Sequence, residues 1–105
     1  MTQSRPLSYG AVAVLHAVAG GCRFGFDIMH ATGLTSGSVY PALDRLEDLG
    51  YLTSSWEDAR TARREKRPAR RYFTLTGTGR AALAEALDRY KTFRPVPLAV
   101  RPSRA

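Results

Sequence analysis

The sequence predicts a mainly α-helical domain with one small β-hairpin. Three observations predict it: apolar residues recur at helical spacing in separate segments, two short aromatic and β-branched runs flank a basic stretch, and a central segment carries its own helix start and stop. The order helix, short helix, helix, hairpin, helix is that of a winged helix-turn-helix followed by a C-terminal dimerisation helix. A chain of 105 residues makes one domain. Residues 1–6 read as a flexible N-terminus, 7–93 as the domain and 94–105 as an irregular tail.

In chain order, Leu7, Ala11, Val14, Leu15 and Val18 mark one face of a first helix, with Ser8 as its cap and Gly20-Gly21 as its end. A second, shorter helix is expected over 25–31, with Phe26, Ile28 and Met29 as its apolar contacts. Gly33 breaks it, and Leu34 packs at the turn into the next element.

That element spans Thr35 to Tyr51. Val39, Leu43, Leu46 and Leu49 lie along one side, and Gly50 follows where a left-handed residue ends a helix. Pro41 is tolerable only near a helix start, which places the start close to Ser36–Ser38. The first turn is the unusual part. Ser36, Gly37, Ser38 and Tyr40 are uncharged, mostly small, and sit where backbone N–H groups point outward at a partial positive charge. Such an end suits a phosphate or a base edge, so 36–49 reads as a recognition helix, with Arg45 on its exposed side. For Tyr40 the alternative is a ring packed under the wing, its hydroxyl serving only structure.

Tyr51 to Trp56 and Arg70 to Leu75 read as paired strands, Phe73 and Leu75 on one face of the second. Trp56 reads as a hairpin or core-edge aromatic, with ligand stacking as the alternative. Glu57 to Ala69 reads as a basic, disordered loop. The basic wing 57–71 carries Arg60, Arg63, Arg64, Lys66, Arg67, Arg70 and Arg71 against Glu57, Asp58 and Glu65. A mobile solvated loop is one reading. Arginines that hold phosphates or enter the minor groove are the reading its place after the recognition helix favours. The first six of those basic side chains join Ser36, Gly37, Ser38, Tyr40 and Arg45 as expected DNA contacts.

Thr76 caps the last helix, where Ala82, Leu83, Ala86, Leu87, Tyr90 and Phe93 form an apolar stripe. Part of it packs on the first helix. The remainder is expected to meet a second copy, giving a dimer interface of Leu7, Val14, Leu83, Leu87, Tyr90 and Phe93.

Composition narrows the chemistry. A net charge of +7, with 14 of the 16 basic residues arginine, points to a polyanionic partner, double-stranded DNA above all. The lone Cys22 closes no intramolecular disulfide, which fits a reducing cytoplasm. The weakly polar run 10–22 is too short to span a bilayer and lacks the flanks of an export signal. Cys22, Asp27 and His30 lack ligand spacing, so neither metal nor cofactor is expected. His16 reads as a packed or interface residue. No nucleophile–base set or phosphate loop points to an enzyme.

The chain resembles the PadR family of winged-helix transcriptional regulators. The resemblance runs from about Leu7 to Tyr90. It is carried by the small-residue helix start with Tyr40-Pro41-Ala42-Leu43, by Leu46 and Gly50-Tyr51, and, past the wing, by Arg71-Tyr72-Phe73-Thr74-Leu75-Thr76 and Gly79. It implies a homodimeric repressor on a palindromic operator, with Ser36, Ser38 and Tyr40 facing DNA and wing arginines on the backbone. It also implies an effector, often a small molecule, whose identity the sequence does not give. Here helical patterning stops near Phe93, before Pro95 and Pro97, where short relatives usually carry a longer dimerisation helix. Drug-binding relatives place a tryptophan on that helix, and this chain has none there. The rival expectation is a winged-helix interaction module whose basic wing meets an acidic protein.

Overall fold

The frame is set by α1 (Tyr9–Ala19), against which three further helices and one strand pack; the computed structural model describes residues 6–90. The Ser8 hydroxyl accepts from the Ala11 N–H at 3.1 Å, which fixes the helix start. Ala11, Val12, Val14, Leu15, Ala17 and Val18 are all buried, because α2 (Gly25–Thr32), α3 (Ser36–Asp48), α5 (Gly77–Arg89) and strand β2 (Arg71–Leu75) cover α1 from several sides. Leu7, Ile28, Val39, Leu43, Leu46, Leu52, Phe73, Leu83 and Ala86 complete the core.

Between α2 and α3 the chain turns tightly. The Thr32 hydroxyl donates to the Ile28 carbonyl at 2.8 Å and accepts from the Leu34 N–H at 3.1 Å. Within α2 it is Gly25 and Ile28 that are buried, whereas Phe26, expected as an apolar contact, is 68% exposed.

Helix α3 buries Val39, Leu43 and Leu46. Leu49 leaves that face and is exposed, since position i+10 is rotated by about 80° from position i at 3.6 residues per turn. The helix closes on a left-handed Gly50 (φ 81°), whose N–H donates to the Glu47 carbonyl while Tyr51 N–H donates to that of Leu46. These paired bonds satisfy two of the last carbonyls and need a residue without Cβ strain at the turn.

Strand β1 (Leu52–Trp56) pairs antiparallel with β2, from Leu52 opposite Leu75 to Trp56 opposite Arg71. A third, minimal strand lies beside β2: Phe24 bridges Tyr72, and the Phe73 N–H donates to the Arg23 carbonyl at 2.7 Å. The Thr76 hydroxyl donates to the Gly50 carbonyl at 2.7 Å and accepts from the Gly79 N–H at 2.9 Å, joining the end of the hairpin to the start of α5.

The stretch expected as a disordered loop contains a helix instead, α4 (Ala59–Arg64). The Asp58 carboxylate accepts from the Arg60 N–H at 3.0 Å and Ala62 is buried, so one cap and one anchor order this arginine-rich turn. It closes through Lys66, which adopts φ 58° although it is not glycine. The result is a winged helix-turn-helix with a helical wing tip.

Candidate nucleic-acid interface

The start of α3 presents a small, uncharged surface. Ser36, Gly37, Ser38 and Tyr40 are all exposed, and the Thr35 side chain makes no capping bond to the turn behind it. The carbonyl of Thr35 takes the N–H groups of Ser38 and Val39, while its hydroxyl leaves the first N–H groups uncapped. Such a helix end offers backbone donors and the positive pole of its dipole to an anion. Arg45 is exposed one ridge along, in register with Ser38.

Tyr40 does two things. Its ring lies over the start of α2, where a Cβ at Gly25 would fall 2.3 Å from the phenol oxygen, and the side chain is still 46% exposed. The ring is thus packed, on the start of α2 and not under the wing, and its phenol oxygen is the atom nearest Gly25.

The wing divides its basic residues into two groups. At the tip, Arg60, Arg63, Arg64 and Lys66 are exposed on or just after α4. Among the described residues their one ion pair, Arg60 Nε to Asp58 at 3.9 Å, joins two exposed side chains and holds little. At the base, the cations are committed to the protein. Arg67 forks onto Glu57 through Nη1 at 2.7 Å and Nη2 at 2.9 Å. Arg70 lies over the Phe24 ring, its Cζ 4.1 Å from the centroid, and its backbone N–H donates to Glu57 at 3.2 Å. Glu57 also accepts from the Tyr72 hydroxyl at 3.4 Å. The Arg67 fork, aided by the Arg70 N–H, holds the Glu57 carboxyl well below the usual range, at about 2. Charge counting placed Arg67 and Arg70 among the DNA contacts, and the structure puts both at the root of the wing.

Arg71 joins the wing to α3. Its guanidinium donates to Asp44 at 3.3 Å, to Glu47 and to the Ser54 hydroxyl at 3.2 Å, and Ser54 donates to Glu47 at 2.7 Å. The two DNA-facing candidates are thus braced against one another. Sequence reading missed Glu57 and the Glu47–Arg71 brace because both span many residues and carry no local signal.

The expected dimer residues sit differently from one another. Leu7, Val14 and Leu83 are buried within the single chain. Leu87 and Tyr90 are half-buried at its edge, where the Tyr90 hydroxyl donates to the Leu7 carbonyl at 3.0 Å and its ring meets Tyr9 edge-on at 6.4 Å. Phe93 and the expected tail 94–105 lie outside the described residues.

Burial, and secondarily Asp27, pushes the Cys22 thiol up, which disfavours its reactive thiolate. Among the described residues no three His, Cys, Asp or Glu side chains gather as metal ligands would, and no helix is long and apolar enough to cross a membrane.

The profile of the transcriptional regulator PadR-like family matches residues 14–85. No curated protein matches in sequence. Solved structures do match in shape. A PadR-like transcription factor from Bacteroides fragilis superposes with a TM-score of 0.66 at 23% identity, covering 78% of this chain and 80% of that one. A PadR family regulator from Clostridium difficile gives 0.69 at 19% identity, covering 81% and 90%. BpsR of Bordetella bronchiseptica, whose DNA binding is regulated by 6-hydroxynicotinic acid, gives 0.68 at 24% identity, covering 87% and 64%.

Proposed function

The chain belongs to the PadR-like family of transcriptional regulators, and from that premise we propose that it acts in the cytoplasm as a homodimeric repressor occluding a palindromic operator. Two copies of α3 enter successive major grooves, and the two wings hold the flanking backbone. Ser36, Gly37, Ser38 and Tyr40 read or approach the groove, helped by Arg45. Arg60, Arg63, Arg64 and Lys66 supply sequence-independent attraction to phosphates. Arg67 and Arg70 act mainly by holding the wing in place. The dimer is held by α1 and α5.

The observation that carries this reading is the pairing of an uncapped, uncharged helix start with a separate, exposed basic wing tip, braced together through Arg71. An effector that loosens DNA, as 6-hydroxynicotinic acid regulates the Bordetella relative, belongs to the proposal as a class of event.

Titrating a non-specific duplex at two salt concentrations tests the core of it. A complex led by phosphates weakens steeply as salt rises, by roughly tenfold or more between 50 and 200 mM for several contacts. Binding that ignores salt, or no binding at all, would remove the DNA reading.

A further inference from the structure

We propose that the hollow between the end of α1, the edge of β2 and the first turn of α5 binds a small aliphatic dianion, above all a short dicarboxylate. The hollow has a volume of about 320 Å³ and is lined by Val18, Cys22, Arg23, Thr74, Leu75 and Arg80, among others. That volume lies at the lower end of the usual range for small-molecule sites, roughly 300–1,000 Å³. It shares no residue with the expected DNA contacts of α3 and the wing, so the proposal stands apart from the DNA-binding reading.

Charge in the hollow is one-sided. Arg23 and Arg80 line it, and no Asp or Glu does. Among the described residues neither guanidinium has a carboxylate partner, whereas Arg67 and Arg71 are both paired. The Arg23 guanidinium lies over the Tyr72 ring, its Cζ 5.1 Å from the centroid, a face contact that uses none of its N–H groups. Asp27 bears on Cys22 from the first turn of α2 but does not line the hollow.

Arg80 also stands where its own helix disfavours it. It lies in the first turn of α5, at the positive end of the helix dipole, and that turn holds no acidic residue. An arginine that only solvates the surface gains nothing from this place. An anion beside it answers both the side chain and the helix end.

Both cations grow from fixed backbone. The Arg23 carbonyl accepts from the Phe73 N–H at 2.7 Å, and the Arg80 N–H donates to the Thr76 carbonyl at 2.8 Å. Groups held this way on two elements meet a guest at a lower ordering cost.

The lining between them selects the guest's body. Val18, Phe73 and Leu75 supply apolar walls and Thr74 an exposed hydroxyl, while Phe73 is buried and offers no ring face for stacking. Two guanidiniums on separate elements suit two separate anionic groups, each taking charge-assisted N–H donors. A short dicarboxylate presents such a pair, and a phosphate monoester carries the same two charges at one end.

Cys22 is the sole cysteine and lines the hollow, so its alkylation by iodoacetamide reports occupancy in the full-length chain. At constant ionic strength, glutarate is expected to slow alkylation saturably, with the same dissociation constant by calorimetry. Glutaramate, with one charge, should bind about tenfold more weakly, the loss of one charge-assisted contact. Arg23→Gln and Arg80→Gln, both at exposed positions and checked for an unchanged fold, should each weaken glutarate similarly. Arg89→Gln removes an exposed cation further along α5, outside the hollow, and should change nothing. Glycerol phosphate decides the anionic group: tighter binding than glutarate assigns a phosphate, weaker binding a dicarboxylate. Alkylation unmoved by either dianion at millimolar concentration would overturn the site. So would equal binding of glutaramate, or an equal loss in Arg89→Gln, which would reduce the effect to net charge.

Discussion

Tyr40 closes over Gly25 so tightly that even one methyl group at position 25 would meet the phenol ring, at 2.3 Å from its oxygen. A side chain of α3 thereby rests on α2, and the angle between the two helices is set partly by the absence of a side chain at Gly25. The same ring forms one wall of a cleft at the wing base, so Tyr40 links helix packing, the cleft and the exposed start of α3.

Tyr40→Phe separates ring from oxygen. The ring packing on Gly25 stays, so the melting temperature should be unchanged. Operator affinity should fall by about 1 kcal/mol per half-site, the usual worth of one hydrogen bond. Equal affinity in the two folded proteins would take the hydroxyl out of the interface.

Replacing Arg63 and Arg64 by alanine tests the wing tip. Both side chains are exposed on α4. Specific and non-specific duplexes should weaken about equally, and the salt slope should drop by roughly 1 to 2 units. Weaker binding with an unchanged slope would mean that these arginines do not touch phosphates.

The local parts of this fold were legible in the sequence, and the parts assembled across distance were not. Ser8 and Thr76 as caps, Gly50 as the stop of α3, and Val39, Leu43 and Leu46 as its buried side each rest on residues within one or two turns. Helix α4 was hidden under its charge, because its order depends on Ala62 being buried and on the Arg67–Glu57 contact ten residues apart. The third strand position at Phe24 depends on Tyr72, far along the chain. The cleft draws on residues near 25, 40, 56 and 70, four stretches that no periodicity connects.

Glu57 gives the wing a pH dependence. Its carboxyl is held near 2, below its ordinary 4.5, chiefly by Arg67. A lowered folded-state value stabilises the protein fully above the unfolded value, and that stabilisation is lost as pH falls toward the folded one. Wild type should therefore melt above Glu57→Gln at neutral pH, with a gap that is steady down to about pH 5 and closes toward about pH 2. A gap that stays constant across this range would show that the charge on Glu57 does not hold the wing.

Leu87 tests the dimer. It is half-buried on α5, at the edge of the chain beside Tyr90. Leu87→Asp would place an unpaired charge in the proposed contact between copies. Sedimentation should show dimer giving way to monomer with helical content retained, and wild type that sediments as a monomer at micromolar concentration would end the dimer proposal.

Selection from a random-sequence duplex library by the purified full chain tests the central claim most directly. The fragments retained should share an inverted repeat whose half-sites lie about one helical turn, roughly 10 base pairs, apart. Ser36→Ala with Ser38→Ala should blur that motif while leaving non-specific affinity in place. Retained fragments with no common sequence, from protein that is folded and binds duplex in a salt-dependent way, would contradict the account of α3 as the element that reads DNA.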